Sequence, residues 1–294
     1  MKLVTVATHS ERYYPYLKLS AKKYGHELIT LGWGTKWKGY GWKFELMRDY
    51  LKTVDSDEIV CFVDAYDVVV LQDPHTIEDK FRKNVDGDMS KIFISREQYS
   101  HNGIENIFLS YIQGFVFTKC DNEYINTGTY IGTAETLYGI LERVCEEFKC
   151  APDSDDQRLI QDYCVKYKAD FVFDMECDIF LVINSTISAI KFGEYDITFN
   201  NKTLIYKNST YPAFFHGNGY TDFDYIISEL GYDTSIFKAD GESKSKYVWS
   251  RIITFLPLAF QKLWIFILLF LVVIVYVYRK SLEKLFNIKY YRKK

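Results

Sequence analysis

The sequence predicts an α/β fold: a mixed, mostly parallel sheet flanked by helices, plus a C-terminal transmembrane helix. Three observations carry this. Short β-branched and aromatic runs alternate with segments of helical spacing through residue 71, and strand–helix–strand order builds parallel neighbours. The buried run Ile59 to Val63 ends on Asp64, and a second run, Val68 to Leu71, begins after Asp67. Two carboxylates therefore sit at the carboxyl end of a strand, the edge where open α/β sheets bind ligands. Near the C-terminus the composition turns apolar.

Leu3 to Thr8 reads as the first strand. It breaks into His9-Ser10-Glu11-Arg12 and lacks the long apolar core and small-residue cleavage site of a signal peptide. Tyr13 to Tyr24 has helical spacing at Tyr13, Tyr16, Leu17 and Ala21 and stops near Gly25. Glu27 to Leu31 is a second strand. Residues 32–43 form a Gly- and Trp-rich loop without the spacing of a dinucleotide fingerprint or a P-loop. It suits either a lid carrying aromatics and Lys43 towards a sugar-phosphate or a surface loop with Trp packed on the core. Phe44 to Val54 resumes helical spacing.

Thr76 to Phe81 is a short helix and Lys91 to Ser95 a strand, while residues 99–120 give no clear pattern. Tyr124 to Gly132 reads as a tight polar turn between apolar flanks, with Gly128 and Gly132 permitting close backbone approach. Ala134 to Phe148 is an amphipathic helix. Asp153, Asp155 and Asp156 crowd before a helix from Arg158 to Tyr167. Acids favour helix N-termini, but one is enough to cap. Three together repel, so a cap and a site that needs negative charge both remain open. Phe171 to Asp174 and Phe180 to Ile183 are strands. The run from Pro212 ends in His216, followed by Gly217-Asn218-Gly219. A histidine there could complete a metal site begun by Asp64 and Asp67, since two uncompensated acids suit a hard divalent cation.

Composition narrows the function classes. Of 294 residues, 48% are hydrophobic and 18% aromatic, so a folded core is expected. The net charge of −3, without a polycationic face in the first 250 residues, gives no argument for nucleic-acid binding, and no nucleic-acid partner is expected. The 6 cysteines form no CxxC pair and are few for a disulfide framework. They read as small buried hydrophobes.

Ile252 to Phe260 and Leu263 to Tyr278 are apolar, separated by Gln261 and Lys262. Together they are long enough to span a bilayer. The expected organisation is a catalytic domain at 1–240, a juxtamembrane linker at 241–251, a transmembrane helix at 252–278 and a basic tail at 279–294. This predicts a single-pass membrane protein with a C-terminal anchor and a cytosol-facing catalytic domain. The sequons at Asn184, Asn201 and Asn208 would then stay unmodified. The basic tail argues the opposite way, because positive flanks favour the cytoplasm.

Six stretches appear in one order: Thr5 to Thr8, Trp37-Lys38-Gly39 with Lys43, Phe62 to Val68, Ile125 to Gly132, Asp153 to Gln157, and His216 to Gly219. In this the chain resembles the glycosyltransferase domain of the multifunctional procollagen lysyl hydroxylases, over residues 1–235 and not the hydroxylase part. The resemblance implies a GT-A-like fold, a UDP-glucose or UDP-galactose donor, and Mn²⁺ or another divalent cation held by Asp64, Asp67 and His216. It implies donor binding by Val6, Thr8, Trp37, Lys43, Tyr66, Asn126, Asn218 and Gly219, with Tyr66 stacked on the uracil. Asp153, Asp155 and Asp156 would be the catalytic acids facing sugar and acceptor. The acceptor would be hydroxylysine or galactosyl-hydroxylysine of a collagen-like protein. Three features depart from the family: Ser154 interrupts the acids, Tyr220-Thr221-Asp222 stands where a basic residue follows Gly219, and a membrane anchor is added. The competing reading is an inactive, membrane-tethered UDP-sugar-binding scaffold of the same fold.

Overall fold

The strands of the chain, in order, are β1 (Lys2–Val6), β2 (Leu28–Leu31), β3 (Ile59–Val63), β4 (Val68–Val70), β5 (Ile92–Arg96) and β6 (Ile125–Thr133). They continue with β7 (Phe171–Phe173), β8 (Phe180–Asn184), β9 (Ile197–Asn200), β10 (Thr203–Tyr206) and β11 (Phe214–Asn218). Among the described residues of the chain up to 236, the α-helices are α1 (Tyr14–Lys23), α2 (Trp42–Leu51), α3 (Pro74–Asn84), α4 (Ala134–Phe148), α5 (Asp156–Lys166) and α6 (Asp224–Glu229). This computed structural model describes residues 1–98, 114, 118–184, 190, 195–236, 268 and 270–274. The chain divides into two compact units, Met1–Lys244 and Ser245–Lys294.

In the first unit six strands make one sheet in the order β2-β1-β3-β6-β5-β7. β1 runs parallel to β2 and β3, and β5 parallel to β7. β6 is antiparallel to both β3 and β5. The predicted α/β class with a mixed sheet is therefore observed, with the antiparallel character concentrated on β6. A second sheet has the order β4-β11-β8, with β11 parallel to β8 and antiparallel to β4.

Side chains alternate along β3, so each face of the main sheet has its own core. Val60 and Phe62 pack with Phe44 and Met47 of α2 and with Leu137, Ile140, Leu141 and Val144 of α4. Ile59, Cys61 and Val63 pack on the other face with Leu17 and Ala21 of α1, Ile77 and Phe81 of α3, and Phe180 and Phe214 of the second sheet. The helix α4 forms over the predicted residues: the Thr133 side chain accepts from Thr136 N, and the helix stops where Lys149 turns left-handed at φ 53°.

Several expectations need correction. Tyr124 to Gly132 is no turn: nine residues form β6, buried along its whole length. Its Asn, Thr and Gly imitate turn chemistry, but Gly128 is required there for close packing rather than for chain reversal. Helix α3 is longer than predicted because Asp73 caps it, accepting from Thr76 N at 3.0 Å, and Pro74 occupies its first turn. The hairpin β9–β10 was not expected. Its two-residue turn, Asn201-Lys202, has φ of 48° and 64°, the left-handed pair that suits a tight hairpin. Four of the six cysteines form disulfides, Cys120–Cys164 and Cys145–Cys150, leaving Cys61 and Cys177 free and buried. Reading the cysteines mostly as small buried hydrophobes holds for Cys61 and Cys177 and missed two pairings that only chain folding creates.

Of the second unit, Leu268 and residues 270–274 are described, and they are helical. The rest of the expected membrane segment 252–278, the linker 241–251 and the tail 279–294 lie outside the described residues. Among the described residues no helix is long and apolar enough to cross a membrane.

Candidate active site

Between β3 and β4 the chain leaves the main sheet and enters the second one. The crossing segment is Asp64-Ala65-Tyr66-Asp67, and backbone bonds pin both ends of it. Asp64 N donates to Gly128 O of β6 at 2.7 Å, and Gly217 N of β11 donates to Asp67 O at 2.8 Å. The two carboxylates are thus set where the sheets meet, facing His216 on β11. Asp64, Asp67 and His216 each offer a ligand atom, all within 4.8 Å of one another.

His216 is 1% exposed. Its Nε2 lies 3.4 Å from Asp67 Oδ1, yet this approach is not a hydrogen bond, and neither ring nitrogen nor Asp67 Oδ1 has a hydrogen-bond partner. A buried polar atom left unpaired costs about 1–3 kcal/mol, and Asp67 Oδ1 with one ring nitrogen of His216, beside a carboxylate oxygen of Asp64, fits a divalent cation. Gly128 makes the convergence sterically feasible. A Cβ there would stand 2.3 Å from His216 Cε1 and 2.7 Å from Asp64 Oδ2. Burial disfavours charge on His216, but the surrounding carboxylates of Asp67, Asp64 and Glu97 outweigh it and raise the pKa above its ordinary value.

Lys43 is buried between two acids. Its Nζ lies 2.6 Å from Asp156 Oδ2 and 3.1 Å from Asp64 Oδ1. Burial alone would discharge it, but Asp156 and Asp64 raise its pKa, so the ammonium persists. Asp156 also accepts from Thr127 Oγ1 at 3.2 Å. The three crowded acids have separate placements. Asp155 caps α5, accepting from Arg158 N at 2.9 Å. Asp156 turns into the site, and Asp153 is exposed on the loop. The capping reading holds for Asp155, while Asp156 lies beside Lys43 and Thr127.

The Gly/Trp loop is pinned rather than free. Gly34 N donates to Thr8 O at 2.9 Å, and Trp42 N donates to Pro152 O at 3.1 Å. A Cβ on Gly39 would meet Pro152 O at 2.4 Å and one on Gly41 would meet Ala151 O at 2.1 Å, so this loop seats directly on the acid loop. Trp42 is buried; Trp37 is 38% exposed and edge-on to Tyr40 and Trp42.

The remaining expected donor residues surround the crossing. The Tyr66 hydroxyl donates to His9 O at 3.2 Å and accepts from Thr8 N at 3.1 Å, leaving its ring half-buried beside β1. Val6 is a core residue at the end of β1. Asn126 and Asn218 converge on a residue that sequence reasoning missed, Glu97. This buried carboxylate accepts from Asn218 Nδ2 at 2.7 and 2.9 Å, from Asn126 Nδ2 at 2.9 Å and from Gln157 Nε2 at 3.3 Å. Burial raises its pKa against the pull of these donors. A signal was present: Glu97 is an acid just past the predicted strand Lys91 to Ser95, as Asp64 is past its own. Thr127, hidden in the mistaken turn, was missed for the same reason as β6, whereas the close backbone approach expected at Gly128 is observed against His216. Gly219, at φ 72°, offers its carbonyl to Arg12.

Residues 1–231 match the family model described as the PLOD GT domain. A procollagen-lysine,2-oxoglutarate 5-dioxygenase of Drosophila melanogaster is 26% identical over 241 residues, covering 76% of this chain and 31% of that protein. The human multifunctional procollagen lysine hydroxylase and glycosyltransferase LH3 is 28% identical over 238 residues, covering 74% of this chain and 30% of that protein. The chain therefore spans under a third of the length of these relatives. Among solved structures, a glycosyltransferase involved in glycosylating the major capsid of PBCV-1 aligns with a TM-score of 0.43 and 11% identity, over 74% of this chain and 94% of that one. The galactosyltransferase LgtC aligns at 0.41 and 13%, over 85% and 96%.

Proposed function

The chain belongs to the PLOD GT (glycosyltransferase) domain family, and from that premise we propose that it moves a hexose from a UDP-sugar to an acceptor hydroxyl with the aid of a divalent cation. Glucose and galactose are the proposed hexoses, Mn²⁺ the proposed ion and a GT-A-like arrangement the proposed frame. One observation carries the reading: Asp64, Asp67 and His216 each bring a ligand atom to within 4.8 Å of the others where the two sheets meet, and Asp67 Oδ1 and the His216 ring nitrogens are buried without a hydrogen-bond partner.

When bound, the cation supplies charge stabilisation for the departing UDP. The other duties belong to side chains. Tyr66, held against Thr8 and His9, presents a ring edge and face for the nucleoside base. Glu97 orients the Asn126 and Asn218 amides beside the metal trio. Asp156, held by Lys43 and Thr127, and the exposed Asp153 supply the negative side on which sugar and acceptor hydroxyls are oriented. Hydroxylysine or galactosyl-hydroxylysine of a collagen-like protein is the proposed acceptor, in keeping with the lysine hydroxylase and glycosyltransferase names of the relatives. The apolar segment 252–278 is proposed to tether the domain to a membrane.

The test is a donor screen: the full chain with Mn²⁺ and a panel of UDP-sugars, assayed for UDP release with and without a hydroxylysine peptide. Release from UDP-glucose or UDP-galactose that disappears in Asp64→Ala supports the enzyme. UDP-sugar binding without turnover in any arm would leave the silent scaffold in its place.

A further inference from the structure

The diphosphate of a UDP-sugar needs positive charge beyond a single divalent ion, and the trio's nearest ammonium is already committed. Lys43 lies between two carboxylates at 2.6 and 3.1 Å. The segment after His216 supplies no cation either: Gly219 is followed by Tyr220, Thr221 and Asp222. A guanidinium from the other end of the domain occupies this place. Arg12 leaves the β1–α1 loop and reaches the far side of the trio, where its Nη1 lies 3.8 Å from Asp67 Oδ2. Its Nη2 donates to Gly219 O at 2.7 Å, and its plane sits 4.2 Å over the Tyr220 ring.

We propose that Arg12 is the diphosphate-binding cation of this site, a role that rests on the UDP-sugar reading above. Three features separate it from an ordinary surface arginine. The side chain is 12% exposed, so its charge is shielded from water and acts at short range. Of the five N–H donors on a guanidinium, one is taken by Gly219; the Asp67 contact at 3.8 Å is too long for a hydrogen bond. A planar fork with donors left over, held flat by an aromatic ring, matches phosphate oxygens better than a point charge does. The third feature is backbone cost. Arg12 sits at φ 48°, left-handed for a residue with a side chain. Such strain persists where the surroundings impose it, commonly at ligand clamps.

The competing account is a structural clamp, in which Arg12 only neutralises Asp67 and fixes the turn at Gly219. Calorimetric titration of the full chain with UDP and with uridine, both with Mn²⁺, separates the two. Three variants are compared: Arg12→Met, Arg12→Lys and Arg12→Gly. Glycine suits the left-handed backbone, so Arg12→Gly removes the charge without straining the fold. We expect Arg12→Met and Arg12→Gly to weaken UDP about tenfold to a hundredfold, as loss of a charge-assisted hydrogen bond does, and to leave uridine affinity unchanged. Arg12→Lys should fall between, keeping the charge and losing the fork. Wild-type UDP affinity in Arg12→Gly overturns the assignment, as does equal weakening of UDP and uridine, which marks the clamp. A wild type that binds neither ligand overturns the UDP-sugar reading itself, a result distinct from both.

Discussion

The backbone of Gly128 packs against the ring of His216 so closely that a Cβ on the glycine would stand 2.3 Å from His216 Cε1. One strand of the main sheet is therefore bare where it passes the histidine of the other sheet. Gly128→Ala should push the ring or Asp64 out of place. Overpacking of this kind costs about 1–3 kcal/mol. On the proposed function, we expect Mn²⁺ to raise the Tm of the wild type, and the variant to fold but lose both that rise and sugar transfer. Unchanged stabilisation by Mn²⁺ in Gly128→Ala would remove Asp64 and His216 from the metal site.

Lys43 has the character of a tie. It neutralises Asp64 and Asp156 together, and removing it leaves two acids facing each other in a buried setting. Loss of one partner from a buried pair costs about 3–5 kcal/mol. In a domain of this size that corresponds to a drop of roughly 10 °C in Tm. Lys43→Met is the test, and Lys43→Met with Asp156→Asn should recover stability without recovering transfer. The pH dependence has a definite sign. The Lys43 pKa is raised above its ordinary 10.5, so its contribution is fully present below that value and fades only as pH rises beyond it. The stability gap between wild type and Lys43→Met should thus be flat between about pH 6 and 9, as followed by thermal unfolding.

Glu97 holds three amide donors that belong to three different elements. Glu97→Gln sets an amide donor against them. Leaving a buried donor unmet costs about 1–3 kcal/mol, and Asn126 and Asn218 should lose their orientation. Steady-state kinetics should show reduced turnover, with a fold that survives by circular dichroism. Full activity in Glu97→Gln would confine Glu97 to packing.

Cys120–Cys164 joins the approach to β6 to helix α5, which carries Asp156 at its other end. Removing a native disulfide costs about 2–5 kcal/mol, and Cys120→Ser should lower Tm accordingly. The pair also bears on location, because disulfides persist in oxidising compartments and cytosolic thiols stay reduced. We propose that the redox state of these cysteines reports on which compartment the domain faces. Alkylation of the denatured, unreduced protein from its host cell should label Cys61 and Cys177 alone. Labelling of all six, with no glycosidase-sensitive mass at Asn184, Asn201 or Asn208, would support the cytosol-facing placement, and a glycosidase-sensitive mass would overturn it.

Much of the molecule was legible as pattern. Strands such as Ile59–Val63 and helices such as Ala134–Phe148 are written in local periodicity, which depends on residues only a few positions apart. The position of the two acids of the crossing segment could be read as well, since the end of the buried run Ile59–Val63 is itself local pattern; an acid there also serves an ordinary strand end or turn. Asn126 to Gly132 misled, because asparagine, threonine and glycine serve equally for a turn and for a strand that must pass close to something else.

The sequence by itself determined the alternation that builds the sheet, the place of Asp64 and Asp67 at a strand end, and the reservoir of acids before α5. Tertiary structure alone decided which acid caps and which enters the site, that Lys43 binds carboxylates, and that Glu97 gathers the amides. It also decided that Arg12 reaches Gly219, 207 positions away along the chain. The physical reason is range. Propensity and capping act within a turn or two of backbone, whereas burial, charge pairing and a missing Cβ acquire their meaning only from what another strand brings alongside.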